Sequence, residues 1–217
     1  MKNQTNVIKK PVSSEKDHIK PTVLGKGYIG TGKYRSSLNG VTTPAYMKWR
    51  QMLARCYSSK YHANNPAYIG CSVSDEWLNF QNFAAWFEVN NRVGLHLDKD
   101  LIIPSNKIYS AENCVFVSKT LNDLIREHKD GKYLAGTTKS KGKFIARIGI
   151  NNMQYIVDRT DNEQDAHRSY CLSKAMLIRK AAKDLPVDQH KRPEVRAGLL
   201  VAASMLDYKY RRNRLAA

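Results

Sequence analysis

The sequence predicts an α+β fold, and three observations carry that expectation. Before residue 90, two stretches place aromatic and aliphatic residues at helical spacing, which marks a helical, aromatic-rich subdomain. Between Leu95 and His128, two short β-branched runs separated by a turn lead into a helix, a ββα unit merged with that subdomain. Between Lys132 and Lys183, three short strand-like segments separated by Gly or Asn precede a long amphipathic helix. That pattern reads as a three-stranded antiparallel sheet plus helix, followed by a C-terminal helix. The chain divides on this reading into a flexible basic arm (1–40), a ββα domain (41–130), a three-stranded-sheet domain (131–184) and a basic C-terminal helix (185–217).

Taken in order, the arm is polar and rich in Lys, Ser and Gly, with no sustained period. Its "GYIGTGKY" is a near miss to a phosphate-binding loop, because Tyr34 stands where a metal-binding hydroxyl belongs, and it reads as a turn. In "TTPAYMKWRQMLARCY", Thr43 is the expected N-cap and Pro44 the first helical residue, with Tyr46, Trp49, Leu53 and Cys56 on one face. "SDEWLNFQNFAAWFEVN" reads as one helix capped by Ser74, with Trp77, Phe80, Ala84 and Phe87 in a stripe beside Phe83 and Trp86. "LHLDKDLII" has strand composition, Pro104–Lys107 turn composition, "NCVFVS" forms a second strand, and a helix starts near Ser118. "YLAGTTK", "GKFIARIGI" and "MQYIVDRT" are the three sheet strands, with Asn151–Asn152 a hairpin signal. "DNEQDAHRSYCLSKAMLIRKAAK" has an acidic start and a basic end, matching a helix dipole, with Ala166, Tyr170, Leu177 and Ala181 as its packing face. The last helix follows the linker "LPVDQHKRP". It is apolar nearly all round at its centre, so it should bury against the body or a partner chain.

Charge narrows the function. The chain holds 36 Lys+Arg against 19 Asp+Glu, a net +17, which attracts polyanions and makes nucleic acid the leading partner. The basic residues are spread along the chain instead of lining one amphipathic helix, which argues against a membrane surface. Four widely spaced cysteines form no CxxC pair, which suits a reducing compartment and neither a zinc knuckle nor a disulfide scaffold. With no secretory signal and no transmembrane run, the expected location is cytoplasmic.

"ENCVFVSKTLN" resembles the second half of HNH endonucleases, in which a short strand and a helix carry a metal-binding His or Asn. The resemblance puts Asn113 in the place of the loop-bracing Asn and Asn122 in that of the last metal-binding residue. The family's "HHID" or "DHID" becomes "LDKD" here, so Lys99 stands where the general-base histidine is expected. A lysine of ordinary pKa is protonated at neutral pH; it is neither base nor metal ligand, but it can grip a phosphate. Strand alternation places His96, Asp98 and Asp100 on one face and Lys99 on the other. One His and two carboxylates, with Asn122 from the helix, form a donor set for Mg²⁺ or Mn²⁺, His96 being the candidate base. Alternatively, the two aspartates salt-bridge to neighbouring Lys and Arg, and the unit is a binding shell that does not cut. The wider pattern over residues 43–183 resembles bacteriophage proteins labelled HNH-type endonucleases, which implies a phage-infected bacterial cell as the setting.

Residues 132–183 resemble the Apetala-two/ethylene-response-factor domain, through Gly136, "GKFIARI" and "NEQDAHRSY". In that family the sheet enters the DNA major groove and the helix braces its back. Alternation then turns Phe144, Ala146 and Ile148 to the helix, and Lys143, Ile145 and Arg147 to DNA, with Lys139, Lys141 and Gln154 joining the exposed face. The expected function is double-stranded DNA binding of homing-endonuclease type, with or without metal-dependent cleavage. The alternatives are a catalytically inactive DNA-binding regulator, or an RNA- or virion-associated partner in a phage or host protein complex. The oligomeric state is not readable from the sequence.

Overall fold

The computed structural model describes residues 22–91, 94–126 and 130–215. It is mixed helix and strand, with a three-stranded antiparallel sheet and two long C-terminal helices. A short hairpin, β1 (Ser37–Leu38) and β2 (Val41–Thr42), leads into α1 (Pro44–Tyr57), where Thr43 accepts the Tyr46 amide at 3.4 Å and Pro44 sits in the first turn. Helix α2 (Ser59–Asn64), a 3-10 turn and β3 (Ser72–Val73) follow, and β3 pairs in parallel with β5 (Ile108–Tyr109). The predicted single helix over 74–90 is two helices, α3 (Asp75–Leu78) and α4 (Phe80–Asn90). The break has a physical cause. Tyr28 takes the Phe80 amide at 2.9 Å and gives its own amide to Leu78, while Asn79 caps α4 by accepting from Gln81. Ser74, the expected cap, makes no capping bond through its side chain.

That contact also corrects the flexible arm. Residues 1–21 lie outside the described residues, but within 23–34 the chain contacts the body, while the β1–β2 hairpin is exposed. Gln81 accepts the Tyr34 amide at 3.0 Å and donates to the carbonyls of Ile29 and Tyr34. Gly27 passes so close to α1 that a Cβ there would sit 2.5 Å from the Leu53 side chain and 2.8 Å from Trp49.

The first core gathers Trp49, Trp77, Phe80, Phe83 and Phe87, with the Trp49 indole donating to the Trp77 carbonyl at 2.7 Å. Strand β6 (Val115–Val117) pairs antiparallel with β4 (His96–Asp98) and is buried on both faces. Phe116 enters the aromatic core, whereas Val115 and Val117 enter a second core with α5 (Lys119–Ile125), α6 (Glu163–Lys183) and α7 (Arg192–Leu215). Alternation along one strand thus joins the two cores. Ser118 caps α5 and Asn162 caps α6. The buried face of α6 is Ala166, Tyr170, Cys171, Lys174, Ala175, Ile178 and Ala182, so the expected face holds at its start and drifts away from Leu177, which is 38% exposed. Helix α7 packs Val195, Leu199 and Ala203 inward, and Gly198 lets it close on the loop after β4, where a Cβ would meet the Leu101 carbonyl oxygen at 2.0 Å. Among the described residues, no helix is long and apolar enough to cross a membrane.

Candidate nucleic-acid interface

The sheet comprises β7 (Thr137–Ser140), β8 (Lys143–Ile150) and β9 (Met153–Thr160), in that order. Both turns are two-residue hairpins with positive φ at each central residue, Lys141–Gly142 and Asn151–Asn152. One face packs on α6 through Phe144, Ala146 and Ile148, as the alternation requires.

Residues directly opposite one another on neighbouring strands share a face, so the register assigns the other side residue by residue. Lys143 stands opposite Ser140, Ile145 between Thr138 and Arg159, Arg147 opposite Ile156, and Gly149 opposite Gln154. Thr138, Ser140, Lys143, Gln154, Ile156 and Arg159 are exposed. Arg147 is half-buried, its Nε shielded from solvent without a hydrogen-bond partner. It lines a shallow pocket of ≈ 330 Å³ with Gly136, Thr137, Thr138, Gly149 and Gln154.

Two expectations for this face are corrected. Lys139 pairs with Phe144 and therefore belongs to the α6 side, its ammonium 4.8 Å from the Phe144 ring centroid. Ile145 is on the open side but only 5% exposed, so it is not a contact residue. Lys141 occupies the β7–β8 turn and is exposed.

The residue missed by sequence reasoning is Arg159. Between Ala146 and Arg147 the register slips: Ala146 pairs with Asp158 but Arg147 with Ile156, leaving Val157 as a bulge. A bulge reverses which side chains face which way beyond it. Simple alternation from Gln154 would put Asp158 on the open face and Arg159 behind it. Instead, Asp158 turns to α6, where it accepts from the Ser169 hydroxyl, and Arg159 turns outward.

The ββα unit departs further from expectation. The strand stops at Asp98, so Asp100 is not on its His96 face. Asp98 caps the following turn instead, one carboxylate oxygen accepting the amides of Asp100 at 2.9 Å and Leu101 at 2.7 Å. Burial raises its pKa above the ordinary carboxylate value, against the lowering effect of those two bonds. Lys99, expected to touch phosphate, is 6% exposed. Its ammonium donates to the Asn106 carbonyl at 2.7 Å, pairs with Asp100 and lies 5.7 Å from the Tyr109 ring centroid. Asn106, unnoticed in the sequence, is the hub of this loop: its amide donates to the carbonyls of Lys99 and Ile108, both at 2.8 Å. Asn113 reaches the Asn106 side chain and the Ile108 carbonyl, each at 3.4 Å.

Asn122 lies half-buried on α5, and His96 on β4 opposite Val117. Burial first, then the charge of Lys48, lowers the His96 pKa, with Asp123 opposing them. Among the described residues, no three His, Cys, Asp or Glu side chains gather closely enough to hold a metal ion. Asp98 and Asp100 are engaged within the loop, Asp98 with the two turn amides and Asp100 with the Lys99 ammonium.

The ββα unit and the sheet are fastened together. Asp123 accepts the Asn151 backbone amide at 3.1 Å and pairs with Lys119, while Lys119 also reaches Asn152 and Thr120 bonds Asn151. No family model, no curated protein and no solved structure matches this chain.

Proposed function

We propose that the chain binds double-stranded DNA through the face of β7–β9 that points away from α6. Arg147 and Arg159 meet base edges in the major groove, Gln154 joins them, and Lys143 and Lys141 contact phosphates. The observation that supports this reading most directly is the bulge at Val157, which exchanges an acid for a base on the open face. The unpartnered Arg147 Nε adds a donor without an acceptor, and the net +17 supplies the long-range attraction. Duplex RNA is the poorer substrate, because the deep, narrow major groove of the A-form does not admit a sheet.

The test is selection of bound duplexes from a random library, followed by salt-dependent anisotropy titrations. Arg147→Ala and Arg159→Ala should each relax base preference, with a loss of about 1–3 kcal/mol on the selected site. Lys143→Ala should weaken all duplexes alike and shrink the salt slope by about 0.9. Unchanged preference in both arginine variants would refute the proposal, as would tighter binding of hairpin RNA than of any duplex.

Cleavage is the second reading, and the ββα arrangement that sets His96 on β4, paired with β6 and followed by α5, favours it. Supercoiled plasmid incubated with Mg²⁺ or Mn²⁺ decides it. Nicking that disappears in His96→Ala would make the chain a nuclease, and equal nicking in both proteins would count against it.

A further inference from the structure

Helix α7 uses only part of its apolar surface within the chain. Val195, Leu199 and Ala203 face α6, but Leu200, Val201, Met205 and Tyr208 remain 43%, 45%, 51% and 66% exposed. With Ser204 and Lys209, these four line a groove of ≈ 620 Å³. The exposed residues Glu194, Ala197, Val201, Ser204, Tyr208 and Arg211 recur at alternating spacings of three and four, the seam of a helix that pairs with another helix. The seam is about 26 Å long at 1.5 Å per residue.

We propose that the partner is a second copy of the same helix, packed antiparallel about a two-fold axis passing between Ala202 and Ala203. The argument is self-complementarity, which an isologous contact demands: if one residue meets another, the second must also meet the first. About that axis Val201 meets the partner's Ser204, Leu200 meets the partner's Met205, and small Ala197 meets the partner's large Tyr208. At each end, Glu194 meets the partner's Arg211. The stripe therefore matches itself in size through its middle and in charge at its ends. A parallel pairing would instead set Glu194 against Glu194 and Arg211 against Arg211. The same register sets Arg196 opposite the partner's Lys209 at the flanks, a like-charge pair that, with the chain's +17, opposes association. At about 0.15 M salt, screening over about 8 Å damps that long-range repulsion and spares the pairs in contact.

The test is sedimentation equilibrium on the full chain, free of nucleic acid, from roughly 1 to 100 μM, a range that brackets a micromolar Kd. The wild type should be a dimer, and Val201→Glu should weaken it at least tenfold. Glu194→Arg and Arg211→Glu should each weaken it, and the two together in one chain should restore it, because the pair is then merely reversed. All three positions are exposed, so thermal melts by circular dichroism should show intact folding in every variant. A wild type that is monomeric throughout the series overturns the proposal, as does a dimer indifferent to Val201→Glu. Single charge changes that weaken the dimer without recovery in the double variant overturn the antiparallel register.

Discussion

Replacing Lys99 with Met removes the ammonium and keeps most of the side chain's volume, so the change reports on what the charge does. In the structure the charge has three partners. The bond to the Asn106 carbonyl joins a charged donor to a neutral acceptor inside a nearly closed loop, and such bonds contribute about 1.5–3 kcal/mol. The pair with Asp100 is worth less, about 0–1 kcal/mol, because that carboxylate is 53% exposed and water screens it. Contact with the Tyr109 ring adds about 0.5–1 kcal/mol. Methionine avoids the cost of burying a charge, which brings the expected net loss down to about 2 kcal/mol. For a chain of this size that is a fall in Tm of roughly 4–8 °C. The assay is a pair of measurements on Lys99→Met: chemical denaturation, and the salt slope of DNA binding. Lower stability with an unchanged slope is the expected result. Unchanged stability with a slope reduced by about 0.9 would mean that the ammonium leaves the loop to meet a phosphate, and the geometric argument would be wrong.

Asp98 gives a pH signature. Its folded pKa lies above the unfolded value, so its stabilising proton is fully bound below about pH 3.9 and the contribution is lost as pH rises through the elevated folded value. Asp98→Asn keeps an oxygen for both amides; it should be more stable than wild type at pH 7, the gap closing on acidification, and a gap independent of pH would refute the assignment. Gly198→Ala would add about 1 kcal/mol of helix propensity at an open site. Here the clash with the Leu101 carbonyl oxygen should reverse the sign, to a loss of about 1–3 kcal/mol by urea denaturation. Lys139→Ala should leave the DNA salt slope unchanged while Arg159→Ala lowers affinity; the opposite ranking would mean that the strand register is misassigned.

Which of these features were legible in the sequence follows from how far each cause lies along the chain. Thr43, Ser118 and Asn162 cap helices by bonding amides three residues away; the Thr43 cap and the helix start near Ser118 were read from their neighbours, whereas the Asn162 cap was not singled out. The Asn151–Asn152 turn is equally local, since both residues tolerate positive φ. The break at Asn79 was not readable, because it is imposed by Tyr28, some fifty residues earlier, taking the Phe80 amide. Lys99 was misplaced for a related reason: its partner Asn106 lies across a loop that strand alternation assumed to be straight.

The sheet carries the most instructive case. Alternation gave the correct buried face for β8, because Phe144, Ala146 and Ile148 are continuous there, and it placed Gln154 on the open face of β9, but extended along β9 the same rule would misplace Asp158 and Arg159. The difference is one residue, Val157, whose unpaired position no propensity announces. Its effect is to reverse the faces of Asp158 and Arg159, so the charge presented beyond the bulge changes sign. A pairing rule without the bulge would have put a carboxylate opposite Ile145 on the surface proposed to meet phosphates. The bulge instead gives Asp158 a hydroxyl partner on α6 and gives the open face a second arginine. Reversing the charge at Arg159 is therefore the sharpest local perturbation of the proposed reader, whereas deleting Val157 would remove only the unpaired residue and leave Asp158 opposite Ala146 and Arg159 opposite Ile145. Arg159→Asp puts a carboxylate where the bulge has put an arginine, and duplex affinity should drop by more than Arg159→Ala alone achieves, since a repulsive charge replaces the attractive one. An Arg159→Asp variant that folds and binds like wild type would show that the arginine's outward turn does not matter to binding.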